Sequence, residues 1–337
     1  MLKPKANNFQ LWYEKALGYM DAGEYEKAVR CLNFALAINR EHSGAWFLKG
    51  TGLAALERFD ESLFALERCL KLDQKNPYAW QIKGLISSRE QRHQDAIFSF
   101  KRALRYNRSD FQLWYMLGKE YIELKEYVKA IAALNQAVFL NASDADSWYY
   151  LAFALSVLGK NQEALLAYDQ AIKADPGNID LLCYKGFALC ELGRFKEAED
   201  LFRRVLEKDP EHILALVNLS ERYLVGGRLT EGISAAKKAL RITDDDEFKI
   251  ISRYLLISGY FLAGKDKKAL SELDQLLEFR KRVSKTFKVT DWNFSPLVSV
   301  IKQKLSKKNK KLLLSLIKML QGKIGFNKFL VLFNKSF

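Results

Sequence analysis

Residues 111–144 read FQLWYMLGKEYIELKEYVKAIAALNQAVFLNASD, and this stretch decides the fold. Trp114 is its fourth residue, Gly118 its eighth and Ala130 its twentieth. The same three marks recur every 34 residues in both directions. Trp12, Trp46, Trp80, Trp114 and Trp148 carry the first, and Leu182 and Leu216 continue it. Ala16, Gly50, Gly84, Gly118, Ala152, Gly186 and Ser220 carry the second. Ala28, Ser62, Ala96, Ala130, Ala164, Ala198 and Gly232 carry the third. Three ladders at one period are the signature of stacked supersecondary units.

Seven units follow from this register: 9–42, 43–76, 77–110, 111–144, 145–178, 179–212 and 213–246. In each, apolar and small residues fall at helical spacing in two runs, which predicts a helical hairpin. The break between runs carries a glycine in four units (Gly23, Gly159, Gly193, Gly227). An aromatic residue often follows it (Tyr25, Phe59, Tyr127, Phe195). No segment alternates as a strand would, and prolines number only five. The chain is expected to be all-α. The tryptophans are expected to be core. The small residues are expected to let the paired helix approach closely, with Leu32, Leu66, Phe100, Leu134, Tyr168 and Phe202 filling the space between helices.

The pattern W-x2-L-G-x2-Y…A-x3-F…P resembles the tetratricopeptide repeat. Trp114, Leu117, Gly118 and Tyr121 match its first half, and Ala198, Phe202 and Pro210 its second. The resemblance covers about residues 9–283. It implies a right-handed α-solenoid whose first helices line a concave groove. Lys15, Lys49, Lys83 and Lys185 stand where the motif usually has Leu. That W-x-x-K-[AG] variant is similar to prokaryotic, especially archaeal, members.

The register slips at Thr243-Asp244-Asp245-Asp246-Glu247 and resumes three residues late, at Gly264 and Ala269. Residues 250–283 read as a degenerate eighth repeat, and the acid cluster as the start of its first helix. Residues 1–8 are an N-terminal extension, and 284–337 a basic helical cap or tail. Residues 281–337 hold 14 Lys and Arg against one acid, Asp291, out of a net charge of +14. The remainder is nearly neutral. Lys307, Lys308, Lys310 and Lys311 cluster directly before the apolar run 312–320.

The resemblance implies a non-catalytic scaffold or adaptor that holds a peptide segment or helix of a protein partner in the groove. The matching groove residues are Tyr13, Phe47, Gln81, Tyr115 and Tyr149, then Lys119, Phe153 and Phe187 one turn on, with Glu123 and Glu191 beside them. Repeats four to six make the groove aromatic there. The Lys and Asn that grip chaperone C-termini in some members are replaced by Tyr13 and Leu17, or Phe47 and Thr51. An alternative reading gives 296–337 the function, as a tether to nucleic acid, ribosome or an anionic membrane surface.

An enzyme is not expected. His42, His93 and His212 fall at turns and read as solvated. Gly50-x-Gly52-x-x-Ala55 lacks the preceding strand of a dinucleotide site. Neither a metal nor a cofactor is implied. Cys31, Cys69, Cys183 and Cys190 have no metal-type spacing and read as reduced, buried thiols. No signal peptide or membrane span is apparent, so a cytoplasmic monomer is expected.

Overall fold

A computed structural model describes residues 8–282, 289, 293 and 295–334. Nearly all of the N-terminal extension, and parts of the link before the tail helices and of the chain end, lie outside the described residues. Among the described residues the chain is helical throughout, with nineteen α-helices.

Two compact units divide the chain, 1–176 and 177–337. The first stacks five hairpins. These are α1 (Phe9–Asp21) with α2 (Tyr25–Ile38), α3 (Ser43–Ala55) with α4 (Phe59–Leu72), and α5 (Pro77–Arg89) with α6 (His93–Tyr106). They continue as α7 (Phe111–Glu123) with α8 (Tyr127–Leu140), and α9 (Ala145–Val157) with α10 (Asn161–Ala174). The second unit holds α11 (Asp180–Glu191) with α12 (Phe195–Lys208), α13 (Ile213–Val225) with α14 (Leu229–Ile242), and α15 (Asp246–Leu262) with α16 (Asp266–Arg282). It then adds α17 (Ser295–Lys304), α18 (Lys307–Leu320) and α19 (Phe326–Asn334).

In five repeats the closing residue starts the next helix by accepting one of its free N–H groups. Asn76 accepts from the Ala79 amide at 3.0 Å, Asp110 from Gln112 at 3.0 Å and Asp144 from Ser147 at 2.9 Å. His42 and His212 do this through Nδ1, to Ala45 at 3.0 Å and Ala215 at 3.2 Å. They are caps, which corrects the expectation of merely solvated turn residues. Asp245 caps α15, and Asp246 and Glu247 occupy its first turn.

Within a hairpin, the eighth residue meets the twenty-fourth. A Cβ on Gly118 would come within 2.5 Å of Leu134, and one on Gly84 within 2.6 Å of Phe100. The seventh repeat reverses the arrangement with Ser220 and Gly232. Ser220 Oγ donates to the Gly232 carbonyl at 2.8 Å, as Ser62 Oγ does to Gly50 at 2.6 Å in the second repeat.

The tryptophans sit at the edge of this core and are half-buried, which corrects their expected burial. Trp12, Trp46 and Trp80 pack against core clusters without joining them. The indole N–H explains the position, because it needs a polar partner. Trp46, Trp80, Trp114 and Trp148 donate to the carbonyls of Arg40, Gln74, Arg108 and Ala142, at 2.8–3.1 Å. Each of these four tryptophans thus clamps the turn between two repeats.

The turn inside each hairpin needs one residue at positive φ. Glycine fills it at Gly23, Gly159, Gly193 and Gly227, but Glu57, Gln91 and Lys125 fill it in three repeats. A side chain there costs about 1 kcal/mol or more. Gln91→Gly is therefore expected to raise stability by about 1 kcal/mol. Gly84→Ala, pressing on buried Phe100, is expected to lower it by about 1–3 kcal/mol. Urea midpoints of the two variants check both signs.

Candidate functional site

Helix α7 buries Leu113, Leu117, Gly118, Glu120 and Tyr121. Tyr115 and Lys119 point the other way and stay half-buried. Lys119 Nζ lies 5.3 Å from the centre of the Tyr115 ring and 5.0 Å from that of Tyr150. The two rings meet edge-on at 5.7 Å, and Tyr149 lies 5.0 Å from Tyr150. Phe153, one turn beyond Tyr149, leans on Tyr127 at 6.5 Å. Tyr115, Lys119 and Tyr149 are thus brought to one place, with Phe153 one turn along α9. Tyr150 joins them unforeseen, since it follows the groove position and only the paired tyrosines 149–150 hinted at it.

The electrostatics of this patch are set by burial and by the lysine. Burial raises the Tyr115 phenol above its ordinary pKa, with the Lys119 charge opposing. Burial disfavours the Lys119 ammonium, but its attraction to the Tyr115 and Tyr150 hydroxyls, whose oxygens accept its hydrogen bonds, outweighs it. Its pKa is therefore held above the usual lysine value. Lys119 stays charged, fixed between two rings.

The other expected groove residues of the first unit do not join this patch. Tyr13 stacks on Phe9 at 5.5 Å and lies 4.9 Å from His42. Phe47 contacts Tyr78 at 6.5 Å. Gln81 is half-buried and Glu123 exposed.

In the second unit, Phe187 is 39% exposed and Glu191 accepts a hydrogen bond from Asn293 at 3.1 Å. One repeat later the same face is closed. Val217 and Glu221, at the groove positions of α13, are buried. Helix α17 packs on α13 and α15. Val217, Leu297, Ile301, Leu316, Ile317 and Phe329 belong to one core cluster. The tail helices are therefore part of the core of this unit. The apolar face of α18 is spent there, while Lys307, Lys308 and Lys311 stay exposed and Lys310 is half-buried. Asn309 of α18 donates to Asp266 of α16 at 3.2 Å.

The closed face holds a buried ion pair. Glu221 approaches Arg222 at 3.6 Å, and the Arg222 guanidinium lies 4.9 Å from the Phe195 ring centre. Burial pushes the Glu221 carboxyl up to about 7, with Arg222 opposing and Glu191 adding to the rise.

Titratable groups elsewhere serve structure. His93 meets the buried Glu120 carboxylate at 2.9 Å, and Ser88 donates to its other oxygen at 2.5 Å. Burial pushes the thiols of Cys69 and Cys190 up to about 11 and that of Cys183 to about 12. Those thiols stay protonated and unreactive. Among the described residues no group of His, Cys, Asp and Glu could hold a metal ion, and no helix is long and apolar enough to cross a membrane.

A tetratricopeptide repeat family model matches residues 13–79, 83–141 and 115–179, and a second matches 158–218. The chain is a tetratricopeptide repeat protein. No curated protein sequence matches it significantly. Among solved structures this repeat protein is similar to the C-terminal part of a TPR repeat-containing protein from Cytophaga hutchinsonii. They share 12% identity over 71% of this chain and 98% of that one, with a TM-score of 0.61. It is also similar to YrrB, described as a TPR protein with an unusual peptide-binding site. There the identity is 24% over 55% of this chain and 95% of that one, with a TM-score of 0.52. PilF of Pseudomonas aeruginosa matches at 16% identity over 61% of this chain and 94% of that one, with a TM-score of 0.51. At these identities the likeness concerns the repeat fold.

The Glu221 carboxyl has a folded pKa above its unfolded value, so its protonated form suits the folded chain. The stability it contributes is complete below about pH 4.5 and is lost as pH rises through about 7. Glu221→Gln is expected to match the native protein at pH 4 and to exceed its stability at pH 8. Thermal melts at the two pH values check this.

Proposed function

We propose that the first-helix face of repeats four and five holds an extended segment or helix of a partner protein, without catalysis. The carrying observation is the cluster itself. Tyr115 and Tyr150 hold a charged Lys119 between them, Tyr149 packs on Tyr150, and Phe153 lies one turn further along the same helix. Rigid aromatics bury partner side chains at low entropic cost. The Lys119 ammonium offers a donor for a partner carbonyl or carboxylate, and Glu123 at the rim helps set register. Membership of a family that is in general a scaffold for protein interaction supports this reading.

The tail contributes stability to the second unit in this reading. Its apolar residues are buried with those of repeats seven and eight, which weighs against an amphipathic helix lying on a membrane.

Peptides selected from a displayed random library on the full chain give the test. Binders to this face are expected to lose at least about tenfold in affinity on the Tyr149→Ala, Phe153→Ala double variant. They should keep most of their affinity across a salt titration. Selected peptides that bind the double variant as well as the native chain would overturn the assignment.

A further inference from the structure

With the tryptophans at the edge of the core, a second kind of surface opens between consecutive repeats. One of these furrows, about 980 Å³, lies between α6, α7 and α8. Its floor includes the buried side chains of Leu104, Leu117 and Ala133. Phe98, 53% exposed, lines it together with Trp114 and Tyr121. Lys101, Arg102, Arg105, Arg108 and Lys129 also line it, and no acidic side chain takes part.

Local helix electrostatics does not account for this. The macrodipole favours a cation in the last turn of α6, which covers Arg105 alone. Nor does the repeat demand it. The furrow between repeats one and two, about 490 Å³, includes Glu41 beside its cations. The one between repeats two and three, about 270 Å³, includes Glu67, which pairs with Lys83 at 2.8 Å. In the large furrow Lys129 is held by Glu126 at 2.7 Å. Lys101, Arg102, Arg105 and Arg108 pair with no carboxylate among the described residues. Four unbalanced cations beside an apolar floor concentrate positive potential where an apolar side chain also gains by burial.

We propose that this furrow binds an acidic segment of a partner protein. One aromatic or branched aliphatic side chain of the segment rests on Leu104, Leu117 and Ala133. Aspartate or glutamate residues on either side pair with Arg102, Arg105 and Arg108, whose planar forks match carboxylates. A nucleic acid fits less well, because stacked bases need open ring faces. Arg102 lies over Phe98 at 5.3 Å and over Trp80 at 5.7 Å, while Lys101 and Lys129 lie over Tyr121 at 5.5 and 5.6 Å. The surface is separate from the Tyr115–Tyr149 face, and the two proposals stand or fall independently.

The test uses the full chain and a fluorescein-labelled synthetic peptide with one tryptophan between runs of aspartate and glutamate, read by anisotropy. The peptide is expected to bind, and Arg105→Glu with Arg108→Glu, both exposed positions, to weaken it by about tenfold or more. Replacing its tryptophan by serine should weaken it comparably. Tyr149→Ala should leave binding unchanged, and circular dichroism should show the charge-reversed variant folded. No binding, or binding indifferent to the charge reversal, would overturn the proposal. So would equal affinity of the serine peptide. A single-stranded oligothymidylate of matched charge that binds more tightly and is lost in the same variant would replace the peptide with nucleic acid.

Discussion

The contact between the eighth and twenty-fourth residues of each hairpin governs the rest of the structure. At Gly118 the partner Leu134 comes so near that even a methyl group has no room. That closeness sets the separation of the two helices, and the buried alanine at the twentieth place repeats it one turn away. One hairpin so built still has an uncovered apolar side, and stacking the next hairpin covers it. The tryptophan acts at the seam between neighbours, where its ring touches the core and its N–H holds the connecting turn.

The same packing decides which surfaces are left over. The space between paired helices takes one large side chain per hairpin, such as Leu134, Phe100 or Phe202, against a small residue, and the remaining aromatics and the charges fall on the first-helix face and at the seams. On the first-helix face of repeats four and five, tyrosines gather around Lys119. At the seam of repeats three and four, arginines and lysines gather over an aliphatic floor. The two surfaces differ in chemistry, one aromatic with a single fixed cation, the other strongly cationic.

The second unit manages the same fold differently. Its last hairpin has 17-residue helices, and the chain then returns as α17 across the faces of α13 and α15. A solenoid end exposes an apolar face that something must cover. Here the cover comes from Leu297, Ile301 and the apolar side of α18, so removing the tail would uncover the core of repeats seven and eight. The lysines of α18 remain outside because a helix that buries one side must turn its charges to the other.

The sequence alone was enough for the hairpins, their register, the acidic start of α15 and the three-residue slip before Gly264. These depend on local spacing and on backbone needs that repeat with the chain. It also marked Tyr115, Lys119, Tyr149 and Phe153, because their place beside each tryptophan follows from helical periodicity. Only the tertiary structure decided that the tryptophans are half-open and that Tyr150 completes the patch. It alone showed that Glu221 is buried, and that Lys101, Arg102, Arg105 and Arg108 meet no carboxylate among the described residues. Each of those depends on what a neighbouring helix, up to a whole repeat or more away in the chain, places against the residue. Periodicity tells which side of a helix a residue occupies, and packing between helices decides whether that side meets water, another ring or an opposite charge.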